Sequence, residues 1–135
     1  MFDTKVAIVV RDDLQSWQKL NVAAFLMSGI VGAAPDLVGE PYRDAAGNDY
    51  LSLLVQPVIV LAADGPTIAS IHRRALDRDV RHALYIEEMF ATGHDAANRA
   101  VFAEHGPEDA NVVGLALREE RKLVDKITKG ARMHS

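Results

Sequence analysis

Apolar and polar positions alternate along this chain in blocks rather than residue by residue. The first block is Val6-Ala7-Ile8-Val9-Val10, flanked by Lys5 and Arg11. A continuous apolar run of this length reads as a strand covered on both faces. Arg11-Asp12-Asp13 then concentrates charge at its carboxyl end. A helix is predicted from about Leu14 to Gly32, with Asp12 or Asp13 as its cap. From Val22 onward that helix is apolar nearly all round, so it needs covering on more than one side. Gly32 and Pro35 bracket its end.

Pro35 to Gln56 is less regular. Gly47-Asn48 tolerates positive φ and predicts an excursion or short hairpin, with Tyr42 and Tyr50 placed to bracket a ligand or cover a sheet edge. Pro57 to Ala62 is the second buried strand. Asp64-Gly65-Pro66 opens a helix with Pro at its first position. Ile68, Ile71, Ala75 and Leu76 form its apolar face, and His72, Arg73 and Arg74 point mostly elsewhere. A third strand covers Arg81 to Glu87. A short helix follows over Ala96 to His105, capped by Asp95 and stopped by Gly106-Pro107. Val112 to Leu117 is the fourth strand. The last helix runs from about Glu119 to Lys129 and ends at Gly130, with acid early and base late as the helix dipole prefers. Strands alternating with helices predict a single α/β domain over residues 1–135, with a mostly parallel sheet covered on both faces.

Composition narrows the function classes. The chain has 135 residues, no cysteine and a net charge of −4. Disulfide and thiolate chemistry are excluded, and the absence of cysteine fits a reducing cytoplasm. Net acidity disfavours a large nucleic-acid footprint. Arg118, Arg121, Lys122, Lys126, Lys129 and Arg132 are interleaved with Glu119, Glu120 and Asp125, which reads as a solvated helix face. Met1-Phe2-Asp3-Thr4 lacks the basic flank and apolar core of a signal peptide. The apolar run Val22 to Ala34 is too short to span a bilayer. A cytoplasmic location without a membrane partner is expected.

No Gly-rich phosphate loop, zinc-protease histidine pair or Gly-x-Ser-x-Gly elbow is present. No cofactor and no metal site are expected. His72, His82, His94, His105 and His134 are scattered, and each by itself reads as a structural or surface residue. The candidate chemistry comes from topology instead. Ligands in open α/β sheets gather beyond the carboxyl ends of the strands. Asp12 and Asp13 end the first strand, and Lys19 and Asn21 begin the first helix. Glu88, Thr92 and His94 follow the third strand. If the first and third strands are parallel and at most one strand apart, these groups converge. Lys19 would then stabilise developing charge and Glu88 act as base, with Thr92 beside them. Asp12, Asp13, Trp17, Asn21 and His94 would line the binding site. The competing reading is that the acids cap helices, Lys19 is solvated and Trp17, the lone tryptophan, is packing.

Four segments carry a family resemblance. They are Lys5 to Leu14, with its Arg-x-Asp-Leu end; Val22-Ala23-Ala24 with Val31-Gly32-Ala33; Ile86 to Thr92; and Val112 to Ala116 with Val124 to Gly130. In this order and spacing the chain resembles the peptidyl-tRNA hydrolase II family, and more closely a group of small bacterial proteins with a DUF2000-type domain. The resemblance implies a three-layer α/β/α fold with a four-stranded mixed sheet, the last strand antiparallel. It implies a homodimer, which the over-apolar first helix would serve, and ester hydrolysis on peptidyl-tRNA. Gln15 to Asn21 replaces the family's glycine- and lysine-rich helix entry. Phe25-Leu26-Met27-Ser28 replaces its Gln-Cys-Ser-His run, and Gly93 to Asp109 is inserted before the last strand. These departures and the acidity disfavour tRNA as a partner. They favour a non-catalytic, dimeric binding or assembly module for a small ligand over a hydrolase of altered substrate.

Overall fold

In the computed structural model, residues 2–135 are described. Met1, part of the Met1–Thr4 stretch expected not to be a signal peptide, lies outside the described residues. The central strand β1 (Thr4–Arg11) buries Val6 to Val10 almost completely. Its continuous apolarity has a direct cause. Val6, Ile8 and Val10 join one core cluster, and Ala7 and Val9 join a second on the opposite face. The period-2 pleat sends neighbouring side chains to opposite sides, and both sides are covered.

The sheet is mixed. Strand β4 (Val58–Ala63) pairs with β1 in parallel, from Val6↔Val58 to Arg11↔Ala63. On the other edge of β1, β6 (Val112–Glu120) runs antiparallel, and β5 (His82–Ile86) is antiparallel to β6. The two-residue β7 (Arg132–Met133) adds to β4, giving the order β5-β6-β1-β4-β7. The sheet therefore has five strands, not the expected four. Two residues within a polar tail leave no hydrophobic run, so β7 escaped the pattern. A mostly parallel sheet is likewise not what forms, because β1–β4 is the sole directly bonded parallel pair among the described residues. The helix before β6 is not a crossover: α3 (Asp95–Ala103) packs on the one-turn Glu87–Ala91 segment rather than on a sheet face.

Helix α1 (Ser16–Ala33) covers one face through Val22, Leu26 and Ile30, a single i, i+4, i+8 stripe. Its first turn is closed by Gln18, whose Oε1 accepts the Gln15 N–H at 3.0 Å. The expected aspartate cap is absent because Asp12 and Asp13 are held in ion pairs. The other side of α1 stays uncovered within the chain, with Leu20 74% exposed. The helix seats on β6 at Gly114, where an added Cβ would run into Val22 Cγ1 and come 3.1 Å from Leu26 Cδ1.

Helices α2 (Gly65–Asp77) and α4 (Arg121–Ile127) cover the second face through Ile68, Ile71, Ala75, Val124 and Ile127. Asp64 caps α2 by accepting the Thr67 N–H at 2.9 Å. Leu76 is exposed and His72 is buried, the reverse of the expected face. His72 turns inward because a second imidazole, His82 on β5, receives it. β6 extends to Glu120 because β1 pairs with it down to Thr4↔Glu120, and Glu120 then caps a shorter α4. Arg74 on α2 donates to the carbonyls of Ile127 and Lys129 at 3.0 and 2.6 Å, closing the end of α4.

The excursion between α1 and β4 is a hairpin of β2 (Tyr42–Arg43) and β3 (Asp49–Tyr50). Asp44 braces it, accepting from the Ala46 and Asn48 backbone N–H groups, the Asn48 side chain and the Tyr50 hydroxyl. These bonds, those from Asn48 first, hold the Asp44 carboxyl at about 2. Tyr42 and Tyr50 face each other in register, exposed, and Leu51 is 90% exposed. Among the described residues no helix is long and apolar enough to cross a membrane.

Two substitutions test this packing by chemical denaturation. Gly114→Ala is expected to destabilise by about 1–3 kcal/mol, since the α1 backbone must retreat from β6. Arg74→Ala, which strips the Ile127 and Lys129 carbonyls of a charged donor, is expected to cost about 1–3 kcal/mol.

Candidate functional site

β1 and β5 point the same way on either side of β6, so their carboxyl ends emerge on one edge of the sheet. Arg11 joins them, its Nη2 2.7 Å from Glu87 Oε1 and its Nε 2.6 Å from Asp13 Oδ1. Burial works against the Arg11 charge, but hydrogen bonds and charges from Glu87 and Asp13 outweigh it and raise the guanidinium pKa.

Beside this ion pair, on the α1 side, lies a cleft of about 250 Å³. Trp17, Asn21 and Phe25 form its α1 wall, and Tyr85 on β5 forms its floor. Met89 to Asn98 supplies the remaining wall through Phe90, Thr92, His94 and Asn98. The four aromatic rings form a chain of contacts. Trp17 meets Phe90 edge-on at 5.9 Å, Phe90 lies 5.2 Å from Tyr85, and Tyr85 lies 5.9 Å from Phe25. Tilted and edge-on pairs at these separations are favourable arrangements of ring quadrupoles.

The polar groups of the cleft are neutral hydrogen-bonding groups for the most part. Burial pushes the Tyr85 hydroxyl pKa up, with the Asn21 side chain working against it. Thr92 Oγ1 lies 2.9 Å from Met89 O and is hydrogen-bonded to the Asn98 side chain. His94 caps α3, its Nδ1 accepting the Ala97 N–H at 3.2 Å. That bond requires a lone pair on Nδ1, so neutral His94 carries its proton on Nε2 and presents a donor, not a base. Asp95 is paired with Arg99 at 2.7 Å. Trp17 Nε1–H donates to Gln15 Oε1 at 2.8 Å, which leaves the ring face as its contribution.

Of the residues singled out from sequence, Trp17, Asn21, Thr92 and His94 are brought together here. The others lie elsewhere. Asp12 pairs with Arg132 at 3.0 Å, toward β7, and Asp13 pairs with Arg11. Lys19 Nζ is 3.2 Å from His134 Nε2. Glu88 faces Asn111 and His105, at 3.5 and 3.7 Å. The expected meeting of Asp12, Lys19, Glu88 and Thr92 in one hollow therefore does not occur: Arg132 draws Asp12 away, and Lys19 and Glu88 meet His134, Asn111 and His105 instead. Phe25, Tyr85, Phe90 and Asn98 were missed. Phe25 lies in an apolar helix run and Tyr85 in a strand, and Tyr85 is part of the core as well as of the cleft. Asn98 lies in the first turn of α3, which His94 caps, so the cap brings the two together. Among the described residues, no group of three or more His, Asp or Glu side chains is placed to hold a metal ion.

No curated protein matches this chain. A solved structure of a protein of unknown function from Agrobacterium tumefaciens strain C58 is 61% identical in sequence, with a TM-score of 0.99 over 100% of both chains. The model of the family described as "Protein of unknown function (DUF2000)" matches residues 4–135. With that match spanning both β1 and the closing tail, the chain belongs to the DUF2000 family.

Proposed function

We propose that this chain is a non-catalytic binding module, acting as a homodimer, whose cleft takes a small flat ligand with a hydrogen-bonding edge. One observation carries the reading: the cleft is an aromatic trough edged by the neutral groups of Asn21, Thr92 and Asn98. Stacking surfaces with a few convergent amide and hydroxyl groups suit recognition of a planar molecule by shape and hydrogen bonds. Nothing lining the cleft is set up to take a proton from a water. His94 offers an N–H, and Asp95 is engaged by Arg99.

A hydrolase using Lys19 as charge stabiliser and Glu88 as base fits less well, because neither lines this cleft. No lysine or arginine lines it either, and phosphate-rich partners such as tRNA bind chiefly through such groups. The peptidyl-tRNA hydrolase II-like ancestry read from the motifs belongs to the same proposal, with the scaffold kept and the reaction lost. Dimerisation is supported by the side of α1 that no other element covers, where Leu20 is 74% exposed, since a large apolar side chain left bare on a helix is a candidate contact point.

Trp17 reports on the cleft. Titration with nicotinamide, benzamide and free nucleobases is expected to give saturable change in Trp17 fluorescence with at least one of them. The Asn21→Ala, Thr92→Val double variant should weaken that binding roughly tenfold while remaining folded by circular dichroism at the temperature of the titration. Ester or peptidyl-tRNA cleavage that Lys19→Ala abolishes would overturn the non-catalytic reading. Sedimentation is expected to show a dimer that Leu20→Glu weakens by at least about tenfold; a strictly monomeric wild type removes the assembly half of the proposal.

A further inference from the structure

The histidines that look scattered in sequence are not scattered in space. On the α2 side of the sheet, His72, His82 and His105 line a second cavity of about 300 Å³. Its walls are otherwise apolar, with Leu76, Leu84, Ile86 and Phe102 among them. Part of its cover is the segment from Phe102 to Ala110, which includes the end of the Gly93–Asp109 insertion.

Backbone chemistry fixes the proton positions of two of these rings. His82 Nδ1 lies 2.9 Å from Val80 O. A carbonyl can only accept, so Nδ1 of His82 carries a proton, and in the neutral ring its Nε2 holds a lone pair. That Nε2 lies 2.9 Å from His72 Nδ1. His72 must therefore donate from Nδ1, and a neutral His72 then has its lone pair on Nε2. His72 is kept neutral by burial first, and by the neighbouring His82 and Arg73, all of which lower its pKa. Only 6% of His72 is exposed, and its Nε2 makes no hydrogen bond within the described residues. The relay Val80 O, His82, His72 thus ends in one acceptor that no protein donor among the described residues satisfies. On the far wall, His105 Nδ1 is buried without a hydrogen bond.

We propose that this cavity is a second binding site, taking a ring-sized apolar molecule that carries one hydroxyl or N–H donor, which His72 Nε2 accepts. The size fits the class. A dry apolar cavity of about 150 Å³ already holds benzene, so this one accommodates a substituted ring or an indole. The apolar walls select against ions and strongly hydrated solutes, and the lone acceptor selects among apolar molecules for those with a donor. The insertion acquires a role in this account, since it supplies the cover. The site is separate from the aromatic cleft, which lies on the α1 side, so the two proposals stand independently.

The test compares phenol, indole, anisole and toluene on the intact wild-type chain by long-range ¹H–¹⁵N NMR of the histidine rings. The free protein should show His72 and His82 as neutral Nδ1–H tautomers. Phenol or indole should shift the His72 Nε2 resonance saturably, and phenol should bind roughly three- to tenfold tighter than anisole. His72→Phe should erase that preference while toluene binding at the His105 and Leu84 resonances persists. Should that variant fail to fold, the wild-type phenol-to-anisole ratio decides alone. Equal affinity for phenol and anisole, an Nε2–H tautomer at His72, or shifts confined to Trp17 and Asn21 would each overturn the proposal.

Discussion

Antiparallel insertion of β6 between β1 and β5 is the constraint from which the arrangement of both cavities follows. With β6 between them, β1 and β5 are parallel without touching, and their carboxyl ends share one edge. The same pairing leaves β5 as the sheet's outer strand, with His82, Leu84 and Ile86 lining the second cavity and Tyr85 in the aromatic cleft. Alternation along β5 therefore serves two sites with one strand. Arg11 closes the gap that β6 creates, holding Glu87 to Asp13 across it.

Much of this was legible in the residues. Val6 to Val10 announced a doubly covered strand because both faces are indeed covered. Asp64-Gly65-Pro66 announced the start of α2, and the Asp64 side chain does cap it. The illegible parts share a physical reason: they depend on partners far apart in sequence. β7 is two residues long and exists because β4 has a free edge. His72 faces inward because His82 waits there, and helical periodicity alone places a histidine among arginines on the outside. The Asp12 and Asp13 carboxylates look like helix caps until Arg132 and Arg11 are near enough to hold them.

The candidate site divides along the same line. Trp17 and Asn21, one turn apart on one helix, line the cleft together. Asp12 and Asp13 do not, because a charge near a protein surface goes to whichever opposite charge reaches it. Arg132 and Arg11 take Asp12 and Asp13 in this way, whereas Lys19 meets the C-terminal tail at His134 and Glu88 meets Asn111 and His105 from the segment before β6. Tyr85 gave no sign of a site in the sequence because it is both core and floor.

The seating of α1 on Gly114 has a consequence for how such a scaffold changes over time. The helix is positioned by Val22 and Leu26 against bare backbone, whereas Trp17, Asn21 and Phe25 face the cleft. Anchoring and recognition therefore draw on separate letters of one helix. Mutation can rewrite the recognition letters and alter the chemical taste of the trough without loosening its wall.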